Sequence, residues 1–76
     1  MTTARIKKDT VVRYQGGIKS PIVTDVTEDS EVTVLEQMDS WSKVLTADGY
    51  IGYVKNKQLA DVTQTTRETV YAGPEY

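Results

Sequence analysis

The chain has 76 residues and a formal net charge of −2, and it contains neither cysteine nor histidine. A chain of this length forms one domain with a small core, because it buries only about 60% of the surface that its unfolded form exposes. Without cysteine it has no disulfide and no thiolate metal site, and the negative charge disfavours a nucleic acid partner. No apolar run approaches the roughly 20 residues that a membrane span needs, so we expect none in this sequence. The N-terminus at Met1–Thr3 lacks a charged segment followed by an apolar stretch, so we expect no signal peptide in this sequence either.

The first half of the chain predicts short strands separated by turns. Ala4–Tyr14 suggests two short strand pieces, interrupted at Asp9–Thr10. The glycines of Gln15–Gly17 mark a loop, because glycine permits a sharp turn. The β-branched run Ile22–Val26 follows as a strand. Glu31–Glu36 alternates apolar and polar residues with a period of two, which makes it the clearest strand in the chain.

The second half of the chain predicts a hairpin and a short helical turn. Trp41–Thr46 and Tyr50–Lys55 form the two strands of the hairpin, because the intervening Asp48-Gly49 pair tolerates the left-handed conformations that a tight connection needs. Asn56–Leu59 has the length of one 3₁₀ turn, which would carry its final leucine into the core. Ala60–Thr63 then closes the sheet.

Together these elements predict an all-β fold, a small barrel of about five or six short antiparallel strands with one 3₁₀ turn. We expect residues 1–63 to form the barrel, and residues 64–76 to form a linker, an extended arm or an added edge strand. The side chains expected to fill the core are aliphatic: Ile6, Val12, Ile22, Val26, Val32, Val34, Val44, Val54 and Leu59.

The composition offers little for catalysis. Acid–base and nucleophilic catalysis need groups with a suitable pKa, and without histidine or cysteine only carboxylates, lysines and hydroxyls remain, in no convincing arrangement. Glu28, Asp29 and Glu31 cluster on a turn, which is either a solvated acidic turn or a calcium site, although their spacing matches no EF-hand loop. We therefore expect a domain that is not an enzyme and uses no metal and no cofactor.

Aromatic side chains are the best candidates for ligand contacts. Period-two alternation places Trp41 and Tyr53 on the outer face of their hairpin, away from the expected core. Two such rings suit the recognition of a peptide or a sugar face, with Ile51 beside them and Tyr14 and Tyr50 at the margins. Alternatively, the two rings pack only as a cross-strand pair that covers a thin core.

The segment from Trp41 to Val54, followed by Leu59, carries the most specific pattern in the chain. It contains Trp-x-Lys-Val, a short Asp-Gly turn and Gly-Tyr-Val, and it resembles the hallmark of bacterial SH3 domains. Upstream, Val11–Arg13 and the glycine-bearing loop that follows look like the opening of the same family. The resemblance covers residues 4 to about 61 and implies an SH3-like barrel.

Two departures from the family pattern affect loops. The chain has Tyr14–Gly17 where many members carry Ser-Gly-Pro, and Asp29–Ser30 where a glycine is usual before the central strand. Bacterial SH3 domains typically accompany peptidoglycan hydrolases, amidases and glycoside hydrolases in exported proteins. The Gly73–Tyr76 segment also resembles the segment that precedes a family 18 glycoside hydrolase domain.

The resemblance implies a non-catalytic binding module of an exported bacterial protein, located outside the cell or in the cell envelope. Such a module would recognise cell-wall peptide or glycan, or a protein partner, through its aromatic groove and would target a tethered hydrolase. The alternative is a structural spacer that packs against an adjacent domain of the parent protein. In that case the exposed aromatics form an intramolecular interface, and the isolated domain forms a weak homodimer.

Overall fold

A computed structural model describes residues 1–64 and forms them mainly from short strands. The strands are β1 (Thr2–Ile6), β2 (Thr10–Arg13), β3 (Ile22–Val26), β4 (Glu31–Gln37), β5 (Trp41–Thr46), β6 (Ile51–Lys55) and β7 (Leu59–Gln64). The predicted 3₁₀ turn spans Asn56–Gln58 and joins β6 to β7. Across residues 1–64, no helix has the length and apolar character that crossing a bilayer requires.

All of these strands lie in one antiparallel sheet with the order β3-β2-β6-β5-β4-β1-β7. Each strand contributes at least one side chain to a single buried cluster, so the sheet curves around that cluster as a small SH3-like barrel. The all-β prediction is confirmed. The two N-terminal strand pieces lie in different parts of the sheet, since β1 pairs with β4 and β7 while β2 pairs with β3 and β6. Residues 1–64 contain seven strands, more than the five or six predicted.

The last described strand extends slightly past the predicted end of the barrel. β7 continues to Gln64, which pairs with Thr2 of β1, one residue beyond the predicted end of the barrel at Thr63. The linker, extended arm or edge strand predicted for residues 64–76 otherwise lies outside the described residues.

The core is aliphatic and small, as the sequence predicts. It consists of Ala4, Ile6, Val12, Val26, Val32, Val44, Val54 and Leu59. Val34 is only half-buried and packs against this cluster, and Ala4 was not predicted. Leu59 is buried directly after the 3₁₀ turn, so the prediction that this turn delivers it to the core is confirmed.

The prediction that Ile22 belongs to the core is wrong, because 55% of its surface is exposed. In the β2–β3 ladder Val12 pairs with Thr24, but the next residue, Arg13, pairs with Ile22. Val23 is therefore an extra residue on β3, and it packs against the core in place of its neighbour. Such a bulge reverses the alternation of faces beyond it, which turns Ile22 outward.

Gly52 allows β2 to cross closely over β6. A Cβ atom built at Gly52 would lie 2.5 Å from Cγ1 of Val12 and 2.6 Å from the carbonyl oxygen of Arg13. Only a residue without a side chain fits between these atoms. This close contact accompanies the pairing of Arg13 with Tyr53 on the outer face.

Two turns depend on left-handed backbone conformations. In the β5–β6 hairpin, Gly49 has a φ of 94° and its N–H donates to the carbonyl of Thr46 at 3.0 Å. The predicted tight connection is confirmed, although Gly49 alone of the Asp48-Gly49 pair is left-handed. In the turn before β4, Asp29 has a φ of 68°. Aspartate is among the few residues that tolerate this region, so it can stand where a glycine is usual.

Candidate functional site

Trp41 lines three neighbouring concavities on the outer surface of the described part of the chain. Its half-buried side chain is shared by three concavities, with volumes of about 440, 390 and 140 Å³. We call these three concavities together the Trp41 site. Around the Trp41 ring they are lined by Thr10, Val11, Arg13, Gln15, Gly16, Ile18, Met38, Asp39, Ser40, Tyr53, Lys55, Asn56, Lys57 and Gln58.

The strand pattern explains why Trp41 and Tyr53 face the same way. Along β5 every second residue from Ser42 is buried, and along β6 Gly52 and Val54 are buried, so the residues between them point outward. Trp41 pairs with Lys55 across the ladder, which makes Tyr53 its diagonal neighbour. Diagonal neighbours lie about 7–8 Å apart, within reach of aromatic side chains.

Two further contacts fix the environment of the Trp41 ring. The Nζ atom of Lys55 lies 5.9 Å from the ring centroid, at the outer limit of a cation–π contact. On the other side, a Cβ atom built at Gly16 would lie 3.1 Å from Cγ of Trp41. The backbone of the β2–β3 loop therefore passes directly against the side chain, and residue 16 has little room for a methyl group.

Hydrogen bonds within the β2–β3 loop hold Gly16 in this position. The backbone N–H of Gln15 donates to Oγ of Ser20 at 2.8 Å, and the Arg13 guanidinium donates to the Ser20 carbonyl at the same distance. At the base of the loop, the N–H of Tyr14 donates to the carbonyl of Pro21 at 2.8 Å. These bonds define the wall that the loop presents to Trp41.

Asn56 connects the 3₁₀ turn to the β4–β5 loop, which forms the opposite wall. Its Nδ2 group donates to the carbonyl of Met38 at 2.7 Å and to that of Asp39 at 3.2 Å. Its backbone N–H donates to the carbonyl of Ser40 at 2.9 Å. One residue therefore holds three consecutive carbonyls immediately before Trp41.

The same asparagine satisfies a buried hydroxyl. Ser42 is completely buried, and its Oγ atom donates a short hydrogen bond to Oδ1 of Asn56. Because a buried hydroxyl without a partner is costly, this bond couples the barrel core to the wall of the Trp41 site. Asn56 is therefore a positioning residue for Trp41 as well as a lining residue.

The structure brings together only two of the five side chains predicted for the groove. Trp41 and Tyr53 line the same concavity. Tyr50 and Ile51 lie at the other end of the hairpin, since Ile51 pairs with Leu45 whereas Trp41 pairs with Lys55. Neither of them lines the Trp41 site.

Tyr14 does not line the Trp41 site, although its neighbours Arg13 and Gln15 do. It follows β2, is 65% exposed, and lines none of the three concavities. A ligand contact at any of the five predicted residues remains a prediction.

Several lining residues were not predicted, because they come from segments far apart in the sequence. Gly16 and Met38 belong to two different loops, and Asn56 belongs to the 3₁₀ turn. The glycine pair at Gly16–Gly17 signalled a loop, but nothing local indicated that this loop meets Trp41. The alternation that placed Trp41 outward also places Lys55 outward, so that residue was predictable.

A fourth concavity, of about 280 Å³, lies at the opposite end of the β4–β5 ladder and is lined by Asp25, Glu31 and Asp48 among other residues. Within the described residues, no group of three acidic side chains is close enough to hold a metal ion. On the nearby turn, the N–H of Glu28 donates to Oδ1 of Asp9 at 2.9 Å, so that carboxylate caps the turn.

Comparison with known proteins identifies the fold family. The family model described as the bacterial SH3 domain matches residues 8–60, which include Trp41, Tyr53 and Asn56. No curated protein matches the chain. Because the matched segment covers more than half of the sequence and the sheet forms an SH3-like barrel, the chain belongs to the bacterial SH3 domain family, a family of binding domains.

Proposed function

We propose that this domain is a binding module of an exported bacterial protein and that its Trp41 site recognises a cell-wall peptide or glycan, or a protein partner. Membership in a family of binding domains supports the general role. The observation that carries the specific role is the convergence of three concavities on one aromatic ring. Concave surfaces with an aromatic wall and a few polar groups are typical of ligand sites.

The walls of the Trp41 site are also fixed before any ligand binds. Asn56 holds the β4–β5 loop, and Ser20 holds the β2–β3 loop. Ordering a mobile loop on binding costs conformational entropy and lowers the affinity. A site whose loops are already held by hydrogen bonds avoids much of this cost. This rigidity supports a recognition role for the surface around Trp41.

In the proposed role, the domain holds a tethered hydrolase near its polymeric substrate at the cell envelope. Tethering raises the effective concentration of the enzyme at the polymer without any new contact in the active site. The parent protein would be a peptidoglycan hydrolase or a family 18 glycoside hydrolase, and the domain itself would have no catalytic part. The lack of histidine and cysteine is consistent with a domain that binds while the tethered hydrolase catalyses.

A structural spacer is the second candidate, and exposed apolar side chains favour it. Tyr14, Ile18 and Ile22 all belong to the β2–β3 hairpin, and each has more than half of its surface exposed. Clusters of exposed apolar side chains often mark a contact with another domain or a second copy. In this view the hairpin packs against an adjacent domain, and the excised domain dimerises weakly.

A fluorescence titration tests the binding proposal, because Trp41 is the only tryptophan of the chain. Soluble peptidoglycan fragments are expected to change its emission saturably, and the domain is expected to sediment with purified cell walls. Trp41→Ala should abolish sedimentation, whereas Leu35→Ala, which removes an exposed side chain on β4 outside the Trp41 site, should not. Absence of both signals, together with concentration-dependent dimerisation in the ultracentrifuge, would favour the spacer.

A further inference from the structure

Three of the eight lysine and arginine residues within residues 1–64 line the Trp41 site. Of the residues that line its three concavities, Arg13, Lys55 and Lys57 are positive and only Asp39 is negative. The chain as a whole carries a net charge of −2. A locally positive, aromatic surface on a negatively charged domain points to a ligand with negative groups.

The two lysines are available to such a ligand. Within residues 1–64, no carboxylate forms an ion pair with Lys55 or Lys57, and the Lys55 ammonium lies over the Trp41 ring. Lys57 is exposed on the 3₁₀ turn. By contrast, Lys43 on the same outer face lies opposite Glu36 in the β4–β5 ladder, so its charge has a neighbour of opposite sign.

The acidic residues lie mainly at the other end of the barrel. The fourth concavity is lined by Asp25, Glu31 and Asp48 and by no cation. Val32 pairs with Thr46 at this end, whereas Trp41 marks the far end of β5. The fourth concavity is therefore lined by negative charge and the Trp41 site mainly by positive charge, so a negative ligand is favoured at the Trp41 site over the fourth concavity.

We propose, building on the binding role above, that the Trp41 site takes a short peptide whose carboxylates contact Lys55, Lys57 and Arg13 while an apolar portion lies against Trp41. A long polyanion fits less well, because the net charge of the domain repels it.

The test compares the same peptides with and without their charges. Muropeptides released from purified peptidoglycan are divided in two, and one half is amidated with carbodiimide and ammonia so that its carboxylates become neutral amides. Each half is titrated into the intact 76-residue chain while Trp41 emission is followed. Because the amidated half loses several charge contacts, it should bind about tenfold more weakly than the charged half. Raising the salt concentration should weaken only the binding of the charged half.

Single substitutions test which lysines contact the carboxylates of the charged muropeptides. Lys55→Gln and Lys57→Gln should each weaken binding of the charged half about two- to fivefold and leave binding of the amidated half unchanged. Arg5→Gln is the matched control, because it removes the same charge on β1, where Arg5 pairs with Glu31 at the opposite end of the sheet. It should change the affinity less than twofold. Melting curves confirm that each variant is folded.

The outcomes separate this inference from the binding role on which it rests. If both halves bind with equal affinity, the binding role stands and the requirement for carboxylates is overturned. If neither half binds, both proposals fail for cell-wall peptides. If Arg5→Gln weakens binding as much as Lys55→Gln, or if inorganic polyphosphate competes as well as the charged muropeptides, the site is a general anion surface and the peptide proposal is overturned.

Discussion

The hydrogen bonds of Asn56 lead to a quantitative prediction about the wall of the Trp41 site. Asn56→Ala removes the acceptor of the buried Ser42 hydroxyl and the donor to the Met38 and Asp39 carbonyls. A typical hydrogen bond contributes about 1 kcal/mol net, and a buried hydroxyl left unpaired costs about 1–3 kcal/mol. Since Asn56 is only half-buried and water replaces part of the loss, the free energy of unfolding should fall by about 2–3 kcal/mol.

A double-mutant cycle isolates the bond between Ser42 and Asn56. Ser42→Ala alone should cost about 1 kcal/mol, because the freed Oδ1 of Asn56 can bind water while the buried hydroxyl is removed together with its need for a partner. Adding Asn56→Ala to Ser42→Ala should cost about 1 kcal/mol less than Asn56→Ala does alone in the wild-type background. Asn56→Asp, which keeps the acceptor but turns a carboxylate oxygen toward two carbonyls, should destabilise the domain about as much as Asn56→Ala.

Urea denaturation measures these differences, with far-ultraviolet circular dichroism as the global signal and Trp41 emission as the local one. For a domain of this size, a loss of 2–3 kcal/mol lowers the melting temperature by about 10–20 °C. A loss below about 0.5 kcal/mol for Asn56→Ala, or strictly additive effects in the cycle, would refute the claim that Asn56 holds the loop and satisfies Ser42.

Three further predictions concern backbone positions. Gly16→Ala should displace the Trp41 ring, shift its emission and lower the free energy of unfolding by about 1 kcal/mol. The control Gly17→Ala, whose methyl group would meet nothing within 4 Å, should leave both the emission and the stability unchanged. Equal effects of the two substitutions would contradict the close contact between the loop and Trp41. Gly52→Ala should cost about 3 kcal/mol in urea denaturation, because its methyl group would overlap backbone, and a folded variant of unchanged stability would be inconsistent with the crossing of β2 over β6. Asp29→Ala should lower the free energy of unfolding by about 1 kcal/mol, and Asp29→Gly should not lower it, because the backbone of residue 29 is left-handed. If Asp29→Gly were the more destabilising substitution, the side chain of Asp29 and not its backbone conformation would be what matters.

The parts of the fold that local patterns determine were predictable from the sequence. The Asp48-Gly49 turn, the hairpin around it and the outward direction of Trp41 and Tyr53 all follow from residues close together in the chain. The exposure of Ile22 was not predictable, because it depends on a bulge that appears only when β3 pairs with β2.

The composition of the Trp41 site was harder to predict than its central ring. Its walls come from loops that meet across the sheet, with Gly16 against Trp41 and Asn56 bonded to the Met38 carbonyl eighteen residues away. In sequence, Asn56 is one polar residue of a short turn, and nothing near it indicates the loop that it holds. Tyr50 and Ile51 were grouped with Trp41 because they belong to the same hairpin, but the register separates them along its length.

Backbone amide and indole NMR spectra recorded during a titration with soluble peptidoglycan fragments show directly whether a ligand binds at the Trp41 site. We expect the largest chemical-shift changes at the indole N–H of Trp41 and at the amides of Gly16, Ser40 and Lys55, with little change at Ile51. Changes centred on Ile51 and the Asp48-Gly49 turn, or no changes at saturating fragment concentrations, would contradict this expectation.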